Sequence, residues 1–220
     1  MRGLSRHIES LMVGAYLLFA DKIDSDSIHT IAELGSRDGD DAIRLRDRFD
    51  ARVISFECNP EAVLRCEIKL GPQQNIRFVP LGVWDENTTI PFFPVVNGNT
   101  GASSAFTANH DYPYETPYKQ EEVRAEVVRL EDWWKKNETV NIDLLCMDLQ
   151  GSELKALQGA GDLLRSVDYI ISEVQTKRLY HDTPLFSDIE DYLEQYGFVV
   201  KDMVPVNDWF GDALFVRPKT

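Results

Sequence analysis

Two short apolar runs in this chain each close on a carboxylate: TIAELG carries Glu33, and RVISFE ends on Glu57. Behind Glu33 comes a turn that reads Gly35-Ser36-Arg37-Asp38-Gly39. Glycine in such a turn lets a ligand approach the backbone closely, and a carboxylate at the next strand end accepts two hydrogen bonds from vicinal hydroxyls. That combination suits the ribose of a nucleoside cofactor. Taken singly, Gly35 is equally a turn glycine and Glu57 equally a solvated strand end; their consecutive placement is what joins them into a site. A sulfonium nucleoside and a nicotinamide dinucleotide are both open at this level. The dinucleotide is disfavoured, because the turn lacks the G-x-G-x-x-G spacing that brings a pyrophosphate onto a helix N-terminus.

Such residues need a parallel sheet to position them. Residues 30–56 read as strand, turn, helix and strand, with Ala42, Leu45 and Phe49 on one apolar helix face. A second helix opens at Asn59-Pro60-Glu61, where a capping side chain, a first-turn proline and an acid near the positive dipole coincide; Val63, Cys66 and Leu70 face inward. A third strand covers 76–79. Residues 91–122 then break the rhythm with Pro, Gly, Asn and aromatics, and a long irregular segment in a compact domain is commonly functional. We read it as a lid, with His110, Tyr112, Tyr114 and Tyr118 over an acceptor; the plain alternative is a surface loop. Extended pattern resumes over 126–130, a helix over 131–136 uses Trp133 and Trp134 for packing, and 142–148 is a buried strand followed by a helix at 153–157. The next strand covers 169–174. Ser187 and Glu190 form a capping box for a helix over 189–196, which Gly197 ends. Strands at 198–201 and 213–216 pair as an antiparallel finish. The fold class is therefore α/β, doubly wound, with a mostly parallel sheet and an antiparallel C-terminal strand, in one domain over 1–220.

Against 37 Asp and Glu stand 23 Lys and Arg, a net charge of -14 that repels phosphate backbones and anionic membranes. Nucleic acid is excluded as a partner on this reading, and a small-molecule or glycan acceptor fits better. Arg2 and Arg6 before the apolar run 11–20 resemble a weak signal peptide. Ile8, Leu11, Met12, Ala15 and Phe19 recur at helical spacing and Glu9 interrupts the basic segment, so residues 1–29 are read instead as a helical extension packed on the domain. No stretch is long enough to span a bilayer. Cys58, Cys66 and Cys146 lack metal-ligand spacing, which points to a reducing, cytoplasmic setting rather than a disulfide framework.

Several blocks together resemble a known family: IAELGSRDGD, VISFECNP, LGVWDEN, TGASSAF, VVRLEDW, IDLLCMDLQGSELKALQGA and YIISEV. Over residues 31–216 the chain resembles the FkbM-type methyltransferases, members of the class I S-adenosylmethionine fold, and DLQGSELKALQGA is the most specific of the blocks. The resemblance implies that Glu33, Gly35, Ser36 and Gly39 hold the methionine portion of S-adenosylmethionine and that Glu57 and Asn59 border the ribose. It further implies that Gly82 and Val83 lie near the adenine, and that Asp148 and Gln150 face the transferred methyl. The expected reaction is methylation of an oxygen on a sugar or small metabolite. Two positions depart from the family: Cys146 stands where a Lys is usual, and Gln150 where a Glu is usual.

Methyl transfer to a hydroxyl is an in-line displacement that also needs a proton removed. Asp148 is the first candidate for positioning or accepting that proton, and His181 the second. Asp148 as a ligand of the cofactor amino group, and His181 as a structural or solvated residue, are the bland alternatives. No metal centre is assigned, although Asp148 with Glu173 supplies two oxygen ligands at adjacent strand ends. Two rivals stand beside the methyltransferase: a nicotinamide-dependent oxidoreductase, and a cofactor-binding homologue without catalysis, which the changes at 146 and 150 keep open.

Overall fold

The structure, a computed structural model, describes residues 15–113 and 119–218. β1 (Thr30–Leu34) is buried along its whole length, and the chain turns from it into α1 (Asp40–Phe49). Ala42, Leu45 and Phe49 form the buried face of α1, with Asp40 and Asp41 in the first turn and Arg46 and Arg48 in the last, as the helix dipole favours. The Asp38 carboxylate accepts the Asp40 N–H at 3.1 Å, which accounts for one of the polar residues in the glycine turn. β2 (Arg52–Phe56) leads to α2 (Pro60–Leu70), whose cap Asn59 accepts the Glu61 N–H at 3.3 Å. The inward residues of α2 are Ala62, Cys66 and Leu70; Val63, expected to face inward, is only half-buried.

Beyond β3 (Ile76–Val79) come β4 (Gly82–Trp84), β5 (Thr88–Phe92), β6 (Val95–Asn97), β7 (Lys119–Gln120) and β8 (Val123–Arg129). α3 (Leu130–Asn137), β9 (Leu144–Met147), α4 (Glu153–Ala160), β10 (Tyr169–Gln175), α5 (Phe186–Glu194), β11 (Val199–Pro205) and β12 (Phe210–Val216) complete the described chain. The main sheet has the order β3-β2-β1-β9-β10-β12-β11. Its first five strands are parallel, while β12 runs antiparallel to both β10 and β11 and separates them. A three-stranded sheet β4-β8-β5 stands beside it, and β6 pairs with β7.

Helices cover both faces of the main sheet. Ile31, Val53, Leu144 and Ile171 point to the side of α1, α2 and the 3-10 helix Ala15–Lys22; Ala32, Ile54, Leu145 and Ile170 point to α3, α4 and α5. Within α4, Gly159 lies against β4 so closely that a Cβ there would fall 1.8 Å from the Trp84 carbonyl oxygen, which explains a glycine inside a helix. Trp133 meets Phe56 edge to face at 4.9 Å, and Trp134 is buried with its indole N–H donating to Val140 O.

Three further details differ from the sequence reading. α5 begins at Phe186 rather than after Ser187: the Asp188 carboxylate accepts the Leu185 N–H at 2.8 Å, so Ser187 and Glu190 are not its cap. Residues 91–122 are not uniformly irregular, since they include the end of β5, β6, the 3-10 turn Thr100–Ala102 and β7. The segment Ala15–Lys22 is 3-10 rather than α-helical and buries Tyr16, Phe19 and Ala20. Arg2, Arg6, Ile8, Glu9, Leu11, Met12, Tyr114 and Tyr118 lie outside the described residues.

Candidate active site

The strand register gathers the site into one transverse row. Phe56, Leu34, Met147 and Ser172 are in register across β2, β1, β9 and β10. One step further along each strand stand Glu57, Gly35, Asp148 and Glu173, and Glu173 is paired with Asp212 on β12. Backbone bonds carry the ladder to this row: Gly35 N–H donates to Phe56 O, and Asp148 N–H to Leu34 O. Four carboxylates and one glycine thus lie side by side just past the ends of the parallel strands, where open α/β sheets bind ligands.

Gly35 opens the row. Its φ is +93°, and a Cβ would lie 2.0 Å from the Asp148 carbonyl oxygen, so glycine is the residue the close approach of the two loops demands. Around it is a cleft, partly open to solvent and lined by Gly35, Glu57, Asn59, Gly82, Val83, Asp148 and Gln150 among others. Glu57 is almost buried and is held by three backbone donors: Arg37 N–H to Oε2 at 2.8 Å, Cys58 N–H and Asn59 N–H to Oε1 at 2.8 and 2.7 Å. Burial pushes its pKa up, and those three bonds oppose the shift. Arg37 therefore serves the turn through its backbone, while its guanidinium reaches toward Gly101 across the cleft mouth. Thr100, Gly101 and Ser103 line that mouth.

On the other side of Gly35, the Asp148 side chain is open to the cleft. Gln150 ties the row together. Its Nε2 donates to Asp148 Oδ1 and to Glu173 Oε2, both at 2.6 Å, and its Oε1 accepts from the Tyr180 hydroxyl at 2.5 Å. Gln150 adopts φ +51°, a left-handed conformation that aims the amide between the carboxylates. Burial holds Glu173 well above the usual carboxylate range, with repulsion from Asp148, Glu153 and Asp212 adding to it. The Gln150 amide bridges Asp148 and Glu173, whose carboxyl groups also hydrogen-bond each other, and among the described residues no group of three His, Cys, Asp or Glu side chains is arranged to hold a metal.

The remaining expected residues lie elsewhere. Glu33 is fully buried on the α1 side of the sheet, opposite Ser55 and Cys146 in the register, and burial raises its carboxyl to about 8. Neither Glu33 oxygen has a geometric hydrogen-bond partner among the described residues, nor has Ser36 Oγ beside it. Gly39, with φ +79°, turns the chain into α1. None of these three lines the cleft. His181 is exposed and joins Thr107 through its backbone N–H; its neighbour Tyr180 is the one that reaches Gln150. His110 is exposed, and Tyr112 packs on Trp209 and Phe210. Sequence reasoning missed Asp212, Tyr180 and the bridging role of Gln150. The pairing of β10 with the last strand was the signal for Asp212; no local signal marks Tyr180.

Sheet order, glycine turn, strand-end carboxylate and cleft are those of the class I S-adenosylmethionine-dependent methyltransferase fold. The description Methyltransferase FkbM domain matches residues 33–200. The chain is 30% identical over 179 residues to the 2-O-methyltransferase NoeI of Sinorhizobium fredii, covering 78% of this chain and 73% of that protein. In fold it is similar to an FkbM methyltransferase from Methylobacillus flagellatus KT, with TM-score 0.58 and 14% identity; the match covers 86% of this chain but only 44% of that one. It is also similar to Aeropyrum pernix fibrillarin in complex with S-adenosyl-L-methionine, with TM-score 0.56 and 14% identity over 94% of this chain and 74% of that one. The chain belongs to the FkbM methyltransferase family and is an S-adenosylmethionine-dependent methyltransferase. That decides between the two nucleoside cofactors which the glycine turn left open. No helix among the described residues is long and apolar enough to cross a membrane.

Proposed function

We propose that this enzyme methylates a hydroxyl of a sugar or sugar-like metabolite, with Asp148 as the residue that orients the acceptor and takes its proton. The observation that carries this reading is the order of the transverse row: Glu57 and Gly35 on one side of Asp148, further carboxylates on the other. The cradle left by Gly35 and the nearly buried Glu57, with Gly82 and Val83 as floor, fits a nucleoside. Bound S-adenosylmethionine supplies an electrophilic methyl group. As the new oxygen–carbon bond forms and the carbon–sulfur bond breaks, the hydroxyl proton passes to the Asp148 carboxylate, whose Oδ1 is fixed by Gln150. The relative's printed activity, 2-O-methylation, supports an oxygen acceptor here. A net charge of -14 supports a neutral acceptor over a nucleic acid, and free Cys58, Cys66 and Cys146 suit a reducing, cytoplasmic setting. Thr100, Gly101 and Ser103 at the cleft mouth would cover the reacting groups.

The test is calorimetric titration of S-adenosylhomocysteine followed by labelled methyl transfer to a panel of glycosides, phenols and amines. Binding with turnover on a glycoside is the expected result. Turnover confined to phenols or amines would move the acceptor to another class, and binding with no turnover on any class would favour the non-catalytic homologue.

A further inference from the structure

We propose that Tyr180 is a positioning residue of the methyl transfer: its hydroxyl fixes the Gln150 amide, and that amide in turn fixes the Asp148 carboxylate for the acceptor. This rests on the reading of Asp148 as the proton acceptor and adds the side chain that sets its orientation. The contacts form an unbroken series. Tyr180 O–H donates to Gln150 Oε1 at 2.5 Å, and Gln150 Nε2 donates to Asp148 Oδ1 and to Glu173 Oε2, both at 2.6 Å. The two ends of a glutamine amide are nearly the same size, so sterics alone do not decide which way it faces. Reversed, it would set its oxygen against two carboxyl groups. A donor at Oε1 opposes that reversal. The Tyr180 hydroxyl has one proton, and Ala102 O also lies within reach at 3.1 Å, but the shorter contact assigns the proton to Gln150.

Tyr180 is held firmly enough for this role. It is 1% exposed and packs with Ala108 and Leu179 in an apolar cluster edged by Phe106 and Phe210. On either side of it the backbone is pinned, Asn109 N–H donating to Leu179 O at 2.8 Å and His181 N–H to Thr107 O at 2.9 Å. Gln150 is fixed independently at its main chain, where Ser104 Oγ donates to Gln150 O at 2.7 Å. A left-handed φ at a residue other than glycine persists only where the surroundings over-determine it, and Gln150 at φ +51° has such surroundings. A half-buried glutamine beside an open cleft is able to turn its amide to water. This one has both ends engaged by protein, and of its three side-chain partners Asp148 is the one that lines the cleft. The series therefore leads from a rigid core residue to the group exposed to ligand.

The test is steady-state transfer from labelled S-adenosylmethionine to the panel member that wild type methylates fastest, for wild type, Tyr180→Phe, Asp148→Asn and the double variant. Tyr180→Phe keeps the ring in its cluster and removes only the hydroxyl. Its kcat should fall about tenfold or more, while acceptor KM and S-adenosylhomocysteine affinity stay within about twofold. In the Asp148→Asn background the same substitution should change kcat by less than about twofold, because the carboxylate it orients is already gone. Gln150→Met, which keeps the side-chain length and loses the donors, should reproduce the kcat loss. Equal losses from Tyr180→Phe in both backgrounds would overturn the proposal, since the hydroxyl would then act by another route. A raised acceptor KM with unchanged kcat would also overturn it and leave Tyr180 as an anchor for Ala102. Should Tyr180→Phe fail to fold, as melting would reveal, wild-type kcat in Gln150→Met would still overturn it. Asp148→Asn that loses turnover beside a fully active Tyr180→Phe would sink this proposal alone; Asp148→Asn that keeps turnover would sink the Asp148 reading with it.

Discussion

Glu33 and Cys146 stand opposite each other in the register of β1 and β9, both fully buried. The carboxyl is consequently held near its neutral form, with its pKa raised to about 8 by burial and partly restrained by Ser55 and Ser36. In the unfolded chain the same group titrates at roughly 4.3. Between those values the folded state keeps a proton that the unfolded state has lost, so stability falls as pH rises through the window. Glu153 and Asp212, raised to about 7 by burial, act in the same direction. The melting temperature should therefore drop from pH 5.5 to 8.5, and Glu33→Gln, neutral at every pH, should drop less. Parallel curves for the two proteins would show that Glu33 ionises normally.

Glu57→Ala removes the acceptor shared by the Arg37, Cys58 and Asn59 N–H groups as well as the carboxylate proposed to meet the ribose. A hydrogen bond to a charged group is worth about 1.5–3 kcal/mol, so affinity for S-adenosylhomocysteine should fall at least about tenfold. Calorimetry on the variant decides this; unchanged affinity would place the ribose elsewhere.

Gly35→Ala asks the chain to fit a Cβ 2.0 Å from the Asp148 carbonyl oxygen at φ +93°. The loops must part, and the cost should exceed about 2 kcal/mol, as for other strained or overpacked positions. Denaturant unfolding should show that loss together with weakened cofactor binding. A stable variant with normal binding would contradict the close packing of these loops.

Asp148→Asn keeps the shape of the side chain and removes its charge. Cofactor affinity should stay within a few fold while turnover falls about a hundredfold, the usual scale for loss of a general base. Parallel collapse of both would make Asp148 a cofactor ligand. If a divalent ion sat between Asp148 and Glu173 after displacing the Gln150 amide, chelator would abolish wild-type turnover and Glu173→Gln would reproduce the defect.

The parallel half of the fold was legible because its strands are short apolar runs that end on polar residues, and its helices carry their caps in the sequence, as at Asn59. The row at the strand ends was legible in part for the same reason: Glu57, Gly35, Asp148 and Glu173 each follow an apolar run. Asp212 was hidden because β12 is antiparallel, so its contribution to the row falls inside the strand rather than at its end. Glu33, expected to hold the methionine portion, is buried and does not line the cleft. It lies two residues before Gly35, hence on the same face but one step deeper, under α1. Tyr180 escaped notice because its reach to Gln150 depends on the chain between β10 and α5, which carries no periodic pattern.

The insertion of β12 between β10 and β11 also bears on how the molecule assembles. β11 is made first but has no ladder with β10; it joins the sheet only through β12. The outer edge of β10 is covered by β12 alone, the second strand of the β11–β12 hairpin, whose turn Asn207 holds by accepting the Trp209 N–H at 2.8 Å. Asp212 arrives with that hairpin. Glu57, Gly35 and Asp148 follow the parallel strands β2, β1 and β9, so the row is composite: its first three members come from the parallel half of the sheet and its last from the C-terminal hairpin.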